Sequence, residues 1–181
     1  MRPNNGTTMR LAYCLAAGLL LSSLAPGRHA HAQAAAQSEP GAPSGLTIGG
    51  LVAHPLQLTA EDLRAMPATT VTVSFNTEHG TTQAAWTGVP LWTVIQRAGL
   101  SAAVTANRRT MLTHTVLATA RDGYTVVFSL GELDPRFGAS QAMVVYARDG
   151  QELPNNGLRL VVPGDKMGGR AVQTLASLDI R

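Results

Sequence analysis

The chain has 181 residues, of which 14% are charged and 45% hydrophobic, and its formal net charge is +3. Arg2, Arg10 and Arg28 lie in a segment that we expect to be cleaved, which leaves 11 of the 14 basic residues against 11 acidic ones. A nearly neutral mature protein has no basic field to attract nucleic acid or anionic lipid, so neither is an expected partner.

The first 32 residues have the layout of a cleavable secretory signal peptide. Arg2 and Arg10 give a positive start, residues 11–24 form an uncharged apolar run, and Ala30-His31-Ala32 offers small residues to signal peptidase. The run is shorter than the roughly 20 residues of a membrane span, although an uncleaved anchor is the alternative. Because no Arg-Arg pair precedes it, we expect general secretory export, a periplasmic or secreted location and no membrane span after cleavage.

Cys14 is the only cysteine, and it lies inside the apolar run of the signal peptide. The mature chain is therefore expected to have no thiolate for a metal, a haem or an acyl intermediate. The sequence also contains no H-x-x-H, H-E-x-x-H or C-x-x-C spacing, and no serine in a G-x-S-x-G turn. Standard zinc sites and the α/β-hydrolase nucleophile are thus excluded.

Residues 33–45 contain Ala, Gly, Pro, Ser and Gln with a single charge, which is typical of a flexible linker. A globular domain is expected over 46–181. Its first half is predicted to contain, in chain order, a strand over 46–53, a helix capped by Thr59 and ending before Pro67, a strand over 70–75, a polar loop over 76–85 and a helix between Pro90 and Gly99.

The second half is predicted to contain more strands than helices. In chain order we expect strands over 111–120 and 124–128 joined by Arg121-Asp122-Gly123, a helical turn capped by Ser129, strands over 143–147 and 158–162, a glycine-rich loop over 163–170 and a last strand over 172–180. Many short strands with a few short helices indicate a single compact α+β domain with a mixed, largely antiparallel sheet.

The loop from Pro163 to Arg170 is the strongest candidate site in the sequence alone. It contains three glycines, Arg170, and Lys166, which is the only lysine of the chain. Glycines let backbone N–H groups approach a ligand closely, and two cations beside them suit a phosphate or another anion. The order of residues differs from that of a nucleotide-binding P-loop, and an ordinary surface loop is the alternative.

Two other features leave their interpretation open. Trp86 precedes a predicted helix start, where a large ring packs in the core or forms the wall of a pocket. His79 adjoins Glu78 in the predicted polar loop, and this pair would bind a cation, move a proton or remain solvated.

Several blocks in the same order resemble the molybdopterin-binding domain of the sulfite oxidase family over about 46–181. These blocks are L-T-I-G-G-L-V (46–52), H-P-L-x-L-T-x-E-D-L-R-A-M-P (54–67), W-T-G-V-P-L-W (86–92), A-G-L (98–100), D-G-Y (122–124), S-L-x-E-L-D-P (129–135), Y-A-R-D-G-x-x-L (146–153) and L-R-L-V-V-P-G-D-K-x-G-G-R-x-V (158–172). The resemblance implies a compact α+β domain whose loops, in full-length relatives, enclose a molybdenum–pterin cofactor.

The resemblance also implies where a cofactor would lie and which ligand is missing. In catalytic members a cysteine follows the strand that here ends in Phe75, and this chain has Asn76 and Thr77 there. The thiolate is a soft ligand that neither residue can replace, so molybdenum ligation by cysteine is not expected. By the same resemblance Arg159, Lys166 and Arg170 would hold the phosphate of a pterin, and Asn76 and His79 would face the former metal side.

Two functions follow from this comparison of residues. The first is a non-catalytic or degenerate module that binds molybdopterin, a related anionic ligand or a periplasmic protein partner. The alternative is a periplasmic molybdopterin-dependent oxidoreductase with an atypical metal site. The sequence identifies no catalytic residue for either function, and the missing cysteine favours the first.

Overall fold

The computed structural model describes residues 45–77 and 80–181, which lie within one compact unit. The described residues form ten strands, in chain order β1 (Leu46–Gly50), β2 (Leu56–Leu58), β3 (Thr69–Thr77), β4 (Gly80–Pro90), β5 (Thr115–Ala120), β6 (Thr125–Ser129), β7 (Met143–Arg148), β8 (Gln151–Glu152), β9 (Arg159–Val161) and β10 (Leu175–Ile180). The expected α+β domain with mixed, largely antiparallel pairing is confirmed.

The helices are short. In chain order they are α1 (Ala60–Arg64), α2 (Leu91–Ala98), α3 (Ala102–Thr105), α4 (Arg108–Leu112) and α5 (Leu130–Leu133), with 3-10 turns at Pro154–Asn156 and Gly168–Arg170. No helix among the described residues has the length and apolar character needed to cross a membrane.

The strands divide into two sheets. The first has the spatial order β2-β1-β10-β5-β6, and β1 pairs with β10 in parallel although they are the first and last strands of the domain. The second has the order β3-β4-β7-β8, and β9 pairs with β7 as well. Except for β1–β10, the strand ladders in the described ranges are antiparallel.

Local capping chemistry begins two of the helices where the sequence predicted. At α1, Thr59 Oγ1 accepts a hydrogen bond from Asp62 N–H at 3.2 Å, and Asp62 Oδ2 accepts one from Thr59 N–H at 2.7 Å. At α5, Ser129 and Glu132 form the same reciprocal arrangement. These hydrogen bonds satisfy backbone donors that a first helical turn leaves unpaired.

The predicted polar loop over 76–85 is wrong. β3 continues to Thr77 and β4 begins at Gly80, so the segment belongs to a long hairpin in which Asn76 pairs with Thr81 and Phe75 with Thr82. Both faces of this hairpin carry polar residues near its tip, and the apolar alternation that identifies a strand is therefore missing there. Glu78 and His79 lie outside the described residues.

The predicted strand over 111–120 begins too early. Asn107 Oδ1 accepts a hydrogen bond from Thr110 N–H at 2.9 Å and caps α4, whose Met111 is buried. The strand itself starts at Thr115. Likewise, the first predicted strand ends at Gly50, where φ is 80°, instead of continuing to Ala53.

Buried apolar side chains form two clusters. The larger one joins the first sheet to α1, α2, α4, α5 and parts of β4, β7 and β9. The smaller one lies on the second sheet and consists of Val73, Ala84, Trp86, Met143, Val145 and Val161. The candidate site is built on this smaller cluster.

Candidate anion-binding site

A cavity of about 250 Å³ lies against the smaller cluster. We call it the Trp86 cavity, and its lining residues are Val73, Phe75, Thr82, Ala84, Trp86, Arg148, Arg159, Gly168 and Gln173. The two charged residues of this lining are both arginines. The lining residues come from β3, β4, β7, β9 and the glycine-rich loop. The cavity therefore depends on pairing between segments that are distant in the sequence.

Trp86 is the centre of the cavity wall. Its side chain is only 3% exposed, and the guanidinium carbon atoms of Arg159 and Arg148 lie 4.9 Å and 5.4 Å from its ring centroid. Both distances lie within the range of cation–π attraction. Trp86 is thus both a core residue and a pocket wall, the two roles that the sequence left open.

Arg159 is a partly buried cation without a neutralising partner in the described part of the chain. Its Nε atom is buried and makes no hydrogen bond there. Burial and the positive charge of Arg148 lower the pKa of Arg159 from its ordinary value, because both disfavour the charged form. An anion in the cavity would counter both effects.

Arg148 is held by the turn that follows β7. Its Nε atom lies 3.3 Å from Asp149 Oδ2, while Asp149 Oδ1 accepts a hydrogen bond from Ala85 N–H at 2.8 Å. Asp149 N–H in turn donates to Ala85 O at 2.7 Å. These bonds fix the turn against β4 and place Arg148 opposite Trp86 in the strand register.

The glycine-rich loop lies beside the end of β3. Asn76 N–H donates to Lys166 O at 2.9 Å, and the hydroxyl of Tyr124 donates to Gly169 O. Gly168 reaches the Trp86 cavity, whereas a Cβ atom on Gly169 would have no other atom within 4 Å. The loop is therefore anchored at two points and leaves open space around its glycines.

The structure describes four of the five predicted site residues, and these four lie in three different situations. Arg159 lines the Trp86 cavity, while Asn76 and Lys166 adjoin each other outside the described lining. Asn76 is exposed, and its Oδ1 atom accepts a hydrogen bond from Thr81 Oγ1 at 3.2 Å. His79 lies outside the described residues, so its role stays a prediction.

Arg170 is directed to acidic side chains of its own domain. Its Nε and Nη2 atoms donate to the two carboxylate oxygens of Asp165 at 2.9 Å and 2.6 Å, and Nη1 lies 3.7 Å from Glu132 Oε2. The Asp165 carboxylate raises the pKa of Arg170, because it stabilises the charged guanidinium. Phosphate binding by Arg170 stays a prediction, and it would require competition with these carboxylates.

Two further cavities share lining residues with the first. One of about 440 Å³ includes Tyr124, Gly168 and Gln173, and another of about 310 Å³ includes Arg159 and Gln173. Thr174 lines both of them with a φ of 49°, which is a strained conformation for a β-branched residue. The three cavities thus converge on Gln173 and offer room for a ligand larger than one phosphate group.

The comparisons with known proteins identify the family and the fold. Residues 42–181 match the family described as the oxidoreductase molybdopterin binding domain. The chain belongs to this family. No match is found among curated proteins.

A solved structure with the same fold is the sulfane dehydrogenase SoxCD from Paracoccus pantotrophus. The TM-score is 0.60 with 24% sequence identity, over 75% of this chain and 37% of that one. This chain therefore spans little more than a third of the length of that relative. The likeness establishes the fold, which agrees with the resemblance found from the sequence blocks.

The residues of this domain fit only part of a molybdenum–pterin group. The cavity offers two arginines, one with an unpaired guanidinium nitrogen, and the adjoining loop offers open glycine backbone. These groups suit the phosphate and the polar ring of a pterin. The matched range 42–181 contains no cysteine, and the described residues include no group of three metal-binding side chains. The donor set therefore fits an anionic pterin and does not fit a thiolate-ligated molybdenum.

Sequence reasoning missed Arg148 and Gln173. Arg148 ends a strand that is otherwise apolar, and only the β4–β7 register places it opposite Trp86. Gln173 follows buried Val172 in a segment predicted to be a strand, and β10 actually begins at Leu175. An isolated polar residue after an apolar one was the available signal, and it does not distinguish a pocket from the surface.

Proposed function

We propose that this domain is an exported, non-catalytic module that binds an anionic pterin or a closely related phosphate-bearing ligand in the Trp86 cavity. The observation that carries the proposal is Arg159, a partly buried guanidinium with a buried, unpaired Nε atom. A buried donor without a partner is costly, and a phosphate oxygen would both accept its hydrogen bond and balance its charge.

The family supports the class of ligand. Its description names molybdopterin, which combines a flat heterocycle with a phosphate. Trp86 and the two guanidinium groups near its ring offer an aromatic and cationic wall, and Gly168 and Gln173 also line a neighbouring cavity. The absence of cysteine from 42–181 supports the non-catalytic part of the proposal, since the protein would supply no thiolate ligand to molybdenum in this arrangement.

The proposal is tested by isolating the protein from the periplasm of its own host and measuring bound pterin and molybdenum. We expect a fluorescent pterin after oxidation, with molybdenum far below one atom per chain. Stoichiometric molybdenum would overturn the non-catalytic part of the proposal in favour of an oxidoreductase with an atypical metal site.

A binding titration tests the site itself. With a synthetic pterin phosphate monoester as the probe, Arg159→Ala should weaken binding about tenfold or more, because a charge-assisted hydrogen bond contributes about 1.5–3 kcal/mol. Arg109→Ala is the matched control, since Arg109 is an exposed arginine of α4 outside the lining of the cavity. Equal affinities of both variants and the wild type would remove Arg159 from the site.

A further inference from the structure

Two cations approach the ring of Trp86 from different strands. Arg148 is opposite Trp86 in the β4–β7 ladder, and Arg159 is opposite Val145 in the β7–β9 ladder. Both positions are therefore set by strand pairing, and the two guanidinium groups lie 5.4 Å and 4.9 Å from one ring centroid. The like charges are close enough for Arg148 to lower the pKa of Arg159.

The positive charge of this pair is only partly balanced. Asp149 is the carboxylate that contacts Arg148, at 3.3 Å, and its other oxygen already accepts a hydrogen bond from Ala85 N–H. No acidic residue occurs among the described residues that line the cavity. One outer carboxylate thus contacts Arg148 and none contacts Arg159 among the described residues, which leaves a positive cavity.

The cavity wall also contains donors in excess of acceptors. Arg159 Nε and Trp86 Nε1 are both buried, and neither has a hydrogen-bond partner in the described ranges. Trp86 is a donor only, and arginine has no acceptor atom. A group with several acceptor oxygens and more than one negative charge would therefore complement the wall better than a carboxylate or a phosphate diester.

We propose that Arg148 is the residue that makes this site selective for doubly charged phosphate monoesters, with Arg159 and Trp86 as its partners. Arg159 would hold the first charge and Arg148 the second. This inference rests on the proposed function, because it assigns a charge preference to the same cavity. It goes beyond that function by naming a selectivity residue and the ionisation state of the ligand.

The test compares two probes that differ by one charge. A pterin phosphate monoester carries about −1.5 to −2 near pH 7, with a second pKa of about 6, whereas its methyl diester carries a single charge. At pH 7.5 the wild type should bind the monoester about tenfold more tightly than the diester. Arg148→Gln should lose most of this preference by weakening monoester binding about tenfold and diester binding less than about threefold.

The pH dependence gives an independent readout. At pH 5 the monoester is mainly singly charged, so the advantage of the wild type over Arg148→Gln should largely disappear. Arg148→Lys should restore part of the preference because it restores the charge without the planar fork. Arg109→Gln is the matched control and should behave as the wild type does, with thermal unfolding confirming that every variant is folded.

The outcomes separate this inference from the proposed function. If Arg148→Gln binds both probes as the wild type does, or weakens both equally, the selectivity role is overturned while ligand binding stands. If the wild type binds neither probe, the proposed function fails, and the inference fails with it.

Discussion

Asp134 is a buried carboxylate at the end of α5, and it is 1% exposed. Arg136, whose side chain is 64% exposed, donates from Nη2 to Asp134 Oδ2 at 2.6 Å, and the Arg136 N–H donates to Oδ1 at 2.9 Å. The pair shapes the segment that follows Glu132, which faces Arg170 of the glycine-rich loop. The Asp134 carboxylate therefore holds the segment that follows α5 through the backbone and side chain of Arg136.

We expect Asp134→Asn to lower the free energy of unfolding at pH 7 by about 1–3 kcal/mol, because a charge-assisted hydrogen bond is replaced by a neutral one in a buried place. Urea unfolding followed by circular dichroism measures the change. Glu61→Gln is the control, since Glu61 is exposed in the first turn of α1 and should change stability by less than about 0.5 kcal/mol. Equal effects of the two substitutions would contradict this view of Asp134.

The same residue predicts a pH dependence. Hydrogen bonds from Arg136 lower the pKa of Asp134 from its ordinary value of 3.8. A carboxyl with a lowered pKa in the folded state contributes its full stability above its unfolded pKa and loses it as the pH falls through the folded value. As the pH falls below about 4, the wild type should therefore lose stability more steeply than Asp134→Asn, and parallel curves would be inconsistent with this linkage.

At the scale of elements, the contact between β4 and β7 depends on one glycine. The ladder shifts register between Thr87 and Gly88, and a Cβ atom on Gly88 would lie 2.2 Å from Val144 O and 2.5 Å from Val145 Cα. Neither backbone atom can move independently of its ladder. The absence of a side chain at Gly88 is thus a condition for the register that brings Trp86 opposite Arg148.

We expect Gly88→Ala to destabilise the domain by about 3 kcal/mol or to prevent folding, because overpacking against backbone forces the strands apart. Gly49→Ala is the matched control within β1, where an added Cβ atom would meet nothing within 4 Å. Its effect should be neutral or slightly stabilising, since alanine loses less entropy than glycine on folding. Thermal unfolding measures both variants, and similar melting temperatures would contradict the close approach at Gly88.

At the scale of the whole molecule, the predicted export would decide which chain performs the function. The predicted leader contains three basic residues and the only cysteine, so its removal would give a neutral protein without a thiol. These residues lie outside the described ones, and cleavage is therefore predicted from sequence alone. Under the proposed function, a mature chain of this kind would bind its ligand through the Trp86 cavity and not through its net charge.

We expect the protein exported from its native gene to begin at Gln33, because Ala30 and Ala32 are the small residues that signal peptidase requires. Intact-mass measurement of the periplasmic fraction checks the cleavage site. Ala32→Phe should block cleavage and leave the longer chain associated with the membrane. An uncleaved wild-type chain would favour the N-terminal anchor instead.

Local sequence signals predicted several elements well. The Thr59 and Ser129 caps begin α1 and α5, and Gly99 follows the last residue of α2. Such signals succeed because the hydrogen bonds join residues three or four apart. The polar hairpin near Asn76 was missed because its pairing partner, and not its own hydrophobic pattern, makes it a strand.

The candidate site likewise combines features that the local sequence predicts with features that depend on pairing between distant segments. The sequence by itself determined the α+β class, the family, the missing cysteine and the place of Arg159 among the candidate residues, because composition and motifs record which chemistry is available. The folded structure was needed to place Arg148 beside Trp86, 62 residues away, and to pair Arg170 with Asp165. Strand register and side-chain direction decide which charges meet and which remain unpaired, and neither follows from the order of residues along the chain.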